Sequence, residues 1–196
     1  MNKILMISLL SLLFSSGLSR ADEHKSPIST EMFLNAVAAV EKKDFVEAVR
    51  LFEVLAEEGE PASEYNLSLL HYKGLGTPEN YKSALFWAWN ASLDGYEKAP
   101  ALVDNIRDEV TDKLITEVAE SIIENLTEKA MSGDDQAAIK LGKTYYSLFI
   151  EPDIKNAYIW FVIAQALSVE GSDELLSKVK KEIETPDLLL IQTDAS

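Results

Sequence analysis

Apolar residues recur at three- and four-residue intervals through most of the chain, and beyond residue 21 no stretch keeps the strict alternation of a half-buried strand. Proline and glycine fall between segments that read with helical period. The pattern therefore predicts an all-α protein. Three of its helices open in the same way: Asp44-Phe45-Val46-Glu47-Ala48, Asn80-Tyr81-Lys82-Ser83-Ala84 and Asp153-Ile154-Lys155-Asn156-Ala157. Each begins with an Asp or Asn suited to cap a helix and reaches Ala four residues later. Leu51, Trp87 and Trp160 follow three residues past that Ala, and Gly59 and Gly95 close the first two helices. The first two segments are offset by 36 residues and the second and third by 73.

Upstream, Tyr65 to His71 pairs with Ile139 to Tyr145 at an offset of 74, and downstream Thr111-Asp112-Lys113-Leu114-Ile115 pairs with Thr185-Pro186-Asp187-Leu188-Leu189 at the same offset. Thr111 and Thr185 read as caps, with Pro186 at a helix-opening position. A chain repeating at these periods is an array whose hairpins bury their apolar faces only against one another. The spacing predicts a leading helix pair over 31–59, a unit over 61–132 and a shortened second unit over 134–196, with a frayed tail. Small residues such as Ala84, Ala157 and Gly142 let backbones approach, while Leu67, Leu141, Trp87 and Trp160 fill the space between layers.

The first 21 residues stand apart from this array. Lys3 precedes the apolar run Ile4 to Phe14, and Ser19 and Ala21 supply small side chains ahead of a cut, which is the layout of a secretory signal. The run is too short to span a bilayer. A mature start at Asp22 is expected, with 22–30 flexible and 31–196 a single domain located in the periplasm or secreted.

Composition narrows the chemistry. The chain has no cysteine, which rules out disulfides, zinc-thiolate sites, iron-sulfur clusters and thiol nucleophiles. Its formal net charge is -15 and becomes -17 when Lys3 and Arg20 leave with the signal, so nucleic acid and anionic lipid heads repel it.

Residues Ala62 to Gly95 resemble a Sel-1-like repeat, a tetratricopeptide-like unit, through Leu67, Gly74, Gly76, Tyr81, Ala84, Trp87, Ala91 and Gly95. Ser68, His71, Thr77 and Asn80 depart from that pattern. A second copy keeps Leu141, Gly142, Tyr145, Asp153, Ala157, Trp160 and Ala164, with Leu148 and Ile150 where the paired glycines belong. Residues 31–59 match only the second helix of the unit, and 97–132 match the motif poorly. The resemblance implies a right-handed α-solenoid of antiparallel helix hairpins acting as an adaptor. It implies neither a catalytic group nor a cofactor.

Gly74-Leu75-Gly76 lacks the Lys-Ser/Thr of a phosphate-binding loop and has no strand before it, so it reads as a hairpin turn. Trp89 aligns with Glu53 and Val162 and is not required by the repeat; it is either buried against a neighbour or a binding anchor, and average tryptophan burial favours the first. A groove formed by first helices over 62–73 and 136–147 would take a protein or peptide partner through Trp89, Asn66, Leu70, Lys140 and Thr144. His71 reads as a packing residue.

Other features point elsewhere. His24, third after a cut before Asp22, could complete a square-planar nitrogen set for copper or nickel, against coincidence in a tail. Glu117, Glu120, Glu124 and Glu128 line one face opposite Leu114, Val118, Ile122 and Leu126, which is the ordinary solvated side of an amphipathic helix. The acceptor patterns at Asn66, Asn90 and Asn125 fall inside predicted helices and read as chance. Leu188 to Ile191, if exposed, would suit dimerisation. The reading is an exported, non-enzymatic adaptor; the alternatives are an N-terminal metal binder and an accessory regulator of a cell-envelope enzyme.

Overall fold

A computed structural model describes residues 27–183. The described residues form nine α-helices and no strand: α1 Pro27–Glu41, α2 Phe45–Glu57, α3 Pro61–Lys73, α4 Tyr81–Leu93, α5 Ala99–Arg107, α6 Asp112–Met131, α7 Asp135–Ser147, α8 Ile154–Ala166 and α9 Ser172–Lys180. The expected leader, His24 and Leu188 to Ile191 lie outside the described residues.

The helices start where capping side chains stop them unravelling. The Asp44 carboxylate accepts from the Glu47 amide at 3.3 Å, the Asn80 side-chain oxygen from Ser83 at 3.1 Å and the Asp153 carboxylate from Asn156 at 3.0 Å. Thr111 caps α6 by accepting from Leu114 N at 3.3 Å. Glu60, which the pattern did not single out, caps α3 by accepting from the Ala62 and Ser63 amides, with Pro61 in the first helical turn. The described residues begin in α1 at Pro27, so the last residues of the stretch expected to be flexible, 22–30, are helical.

The chain divides into two compact units at Val110 and Thr111, inside the span that the repeat offset groups as 61–132. Periodicity follows sequence similarity, whereas compactness follows contact, and the two need not break at one place. In the first unit α1 packs on α2, α2 on α3, α3 on α4 and α4 on α5. Its core holds Ala36, Val40, Ala48, Phe52, Leu67 and Leu70, with Trp87 half-buried at the edge. In the second unit α6 packs on α7, α7 on α8 and α8 on α9. There Ile139, Ala157, Tyr158, Phe161, Ala164 and Leu176 form a core that Trp160 flanks. The two repeat tryptophans thus border cores instead of filling them.

Both residues of the glycine pair carry a backbone reason. Gly74 ends α3 in the left-handed conformation at φ 62°. Gly76, at φ 74°, runs against the first turn of α2, where an added Cβ would meet Phe45 O at 2.2 Å. The glycines therefore let one hairpin turn lie against the start of the preceding helix. In the second unit α7 ends at Leu148 in a right-handed conformation, Leu148 is buried, and Ile150 is exposed. The turn still closes alike: Asn80 N donates to His71 O at 3.0 Å, and Asp153 N to Tyr145 O at 2.9 Å. One residue fewer separates the second pair, which is why the repeat offset falls from 74 to 73 across this turn.

A volume exchange links the two hairpins. Gly142 gives its space to Phe161, whose ring would lie 2.4 Å from an added Cβ. At the equivalent places in the first unit stand Ser68, whose hydroxyl donates to Ala84 O at 2.7 Å, and the small Ala88.

Candidate interaction surface

Four of the five side chains proposed for partner contact are committed to the interior. Asn66, Leu70 and Thr144 are buried, and Trp89 is 7% exposed. The correction has a simple cause: α3 is packed by α2 on one side and α4 on another, and every residue from Ser63 to Leu70 is buried. Thr144 turns its hydroxyl back onto Lys140 O at 2.9 Å, a local helix bond. Lys140 alone of the five stays half-exposed. Burial, the alternative favoured for Trp89, is what the fold adopts. Asn66 is closed to modification for the same reason, while Asn90, also helical, donates to Phe86 O.

His71 is a packing residue, half-buried, with no hydrogen-bond partner for Nδ1. Burial pulls its pKa below the usual histidine value, and the nearby Glu53 carboxylate only partly opposes that. On α6, Val118, Ile122 and Leu126 are buried while Glu120, Glu124 and Glu128 face solvent. Glu117 is half-exposed, 3.8 Å from Lys113 Nζ. The carboxylates form a solvated helix face. Among the described residues no three potential metal ligands gather, and no helix is long and apolar enough to cross a membrane.

Each unit carries a clasp that lies outside the repeat motif. The Tyr72 hydroxyl, at the end of α3, donates to the Glu109 carboxylate just beyond α5, and Tyr81 OH donates to the same carboxylate at 3.2 Å. The two rings meet edge to face at 5.7 Å, and Lys73 Nζ sits 4.1 Å above the Tyr72 ring. In the second unit Tyr146 OH donates to Glu182 at 2.5 Å, with Lys178 Nζ 4.8 Å above its ring. Tyr72 and Tyr146 are 74 residues apart and Glu109 and Glu182 are 73 apart, so the repeat offset itself was the available signal. The Tyr72 phenol is pushed up to about 12, first by loss of solvent and then by the Glu109 hydrogen bond.

Helical hairpins packed in sequence, with small buried residues between them, define the class as an α-helical repeat protein. The Sel1 repeat family model matches residues 32–60, 61–89 and 135–164, so three Sel1 repeats are found along the chain. Residues 32–60 thus count as a full repeat, although only their second helix carries the motif legibly. No curated protein matches the chain. A solved structure similar to it is that of c5321, a protective antigen present in uropathogenic Escherichia coli strains and described as displaying an SLR fold. The two are 18% identical with a TM-score of 0.32, over 98% of this chain and 44% of that one. The Sel1 repeat is typically a protein-interaction fold.

Proposed function

We propose that this protein is a non-enzymatic adaptor that works outside the cytoplasm and binds a protein or peptide partner. The observation that carries the reading is the array of three Sel1 repeats, a fold that typically presents surface to other proteins. With Asn66, Leu70, Trp89 and Thr144 in the interior, contact falls to what the first helices leave exposed. In the first unit that is the end of α3 with Tyr72 and Lys73; in the second it is Lys140, Lys143 and Tyr146 on α7. Tyrosine offers a large contact area at low entropic cost, and neighbouring lysine and glutamate set orientation. The acidic chain speeds encounter with basic partners and repels acidic ones.

Export rests on the leader-like sequence of residues 1–21, and mass spectrometry of the mature N-terminus should find Asp22. Proximity crosslinking in the native compartment tests binding. It should capture one recurrent partner, with capture reduced in Tyr72→Ala or Tyr146→Ala variants that keep wild-type helicity. Recovery of no specific partner, or equal capture by all variants, overturns the reading.

A further inference from the structure

In each clasp a lysine ammonium stands over the tyrosine ring, yet the two lysines are not equivalent. Tyr72 matches Tyr146 and Glu109 matches Glu182 at the repeat offsets of 74 and 73. Lys73, on α3, has Ser147 for its counterpart, and Lys178, on α9, has Asn105. Two unrelated lysines thus arrive at one place. What recurs is a ring beside a carboxylate that takes a cation on its face, where the ring quadrupole is negative.

The first unit builds this place more fully. Tyr72 stands in the last turn of α3 and Tyr81 opens α4, so the connection between them sets their geometry. Leu75 N donates to Leu70 O and Asn80 N to His71 O, each at 3.0 Å, which fixes that connection at both ends. The two half-buried rings form a corner, with an interplanar angle of 78° and centroids 5.7 Å apart. In the second unit Ile154 stands at the place of Tyr81 and the corner has one wall. Glu109, itself exposed, accepts from both hydroxyls, and Glu79 hydrogen-bonds the Tyr81 hydroxyl as well. Two carboxylates meet two phenol protons here, which leaves acceptor positions over. An ammonium brings three donors and a full positive charge to such a corner, whereas an anion is repelled by it.

We infer that the corner of Tyr72 and Tyr81, with Glu109 and Glu79, is a docking site for a lysine side chain of a basic peptide segment, and that Lys73 is the chain's own stand-in for it. The partner class rests on the adaptor reading above; the corner supplies that partner's chemistry. Lys73 is exposed, so its side chain can swing away without unpacking a core. The rings are already set at their angle, so a ligand does not have to order them. The net charge of -15 draws a basic segment towards the surface, and the corner then selects a single ammonium.

The probe is the synthetic peptide acetyl-Gly-Ser-Lys-Ser-Gly-amide, titrated into the full chain with isotope-labelled tyrosine rings and followed by NMR. Saturable shifts should be largest at Tyr72 and Tyr81, and absent when norleucine replaces the peptide's lysine. Lys73→Gln frees the corner and should tighten binding several-fold, whereas Lys129→Gln, which removes the same charge on α6, should leave it near the wild-type value. Tyr72→Leu combined with Tyr81→Leu, in a chain of wild-type helicity, should abolish binding as seen at the peptide's own lysine signals. Before any peptide is added, the Lys73 side-chain protons should resonate upfield of those of other lysines. Equal tightening by Lys73→Gln and Lys129→Gln, undiminished binding in the double leucine variant, or equal binding of the norleucine peptide would overturn the inference. If crosslinking captures a partner while the peptide fails, this site alone falls; if the peptide binds while crosslinking captures nothing, the adaptor reading alone falls.

Discussion

Gly76 and Gly95 have similar backbones, φ 74° and 81°, yet only Gly76 is crowded: an added Cβ there meets the Phe45 carbonyl, while nothing lies within 4 Å at Gly95. Gly95→Ala should therefore cost about 1–2 kcal/mol from backbone strain alone. Gly76→Ala should cost more, on the order of 3 kcal/mol or above, because α2 must also move. Urea denaturation of the two variants checks the order. The Gly142 and Phe161 pair is a matched exchange of volume. Phe161→Ala should cost about 3–5 kcal/mol and Gly142→Ala about 1–3, while the double variant should lose less than the sum because the clash and the cavity cancel. His71 gives a pH signature. Its folded pKa lies below the unfolded value of about 6.5, so the unfolded chain binds the extra proton first, and stability falls as pH drops below that value. His71→Gln should flatten this fall below about pH 6.5, measured by denaturant midpoints.

At the scale of elements, the Tyr–Glu clasps tie the end of a first helix to the turn after the third helix in each unit. Tyr72, with its phenol raised to about 12, stays protonated in the folded state after an unfolded tyrosine has ionised near pH 10. The native state then binds more protons than the unfolded one, and stability falls as pH rises from about 10 towards 12. Tyr72→Phe should remove part of that alkaline loss, and ultraviolet titration should lose one late-ionising phenol. The clasps were legible only as an offset between residues of no recognised motif. The glycine pair was legible as a turn, but its contact with α2 was not, since nothing in the local sequence marks which carbonyl faces it.

At the scale of the whole molecule, the net charge of -15 predicts that association with a basic partner slows steeply as salt is raised, because exposed charges are screened within about 10 Å at 0.1 M ionic strength. Stopped-flow association rates across a salt series check this once the partner is in hand. A salt-independent rate would assign recognition to the tyrosines rather than to the charge.

Sequence by itself determined the helical class, the caps at Asp44, Asn80, Thr111 and Asp153 and the repeat register, because each depends on neighbours within a turn or on the same residue types recurring at a fixed offset. It also determined that the chemistry of cysteine and of clustered histidine is unavailable. Tertiary structure decided which helix faces are buried. Asn66, Leu70 and Thr144 look like groove residues by position, yet packing from two sides removes them from solvent. Equivalent positions filled by Glu53, Trp89 and Val162 share one register and differ in exposure, because coverage is a property of the neighbouring layer and not of the helix that carries the residue.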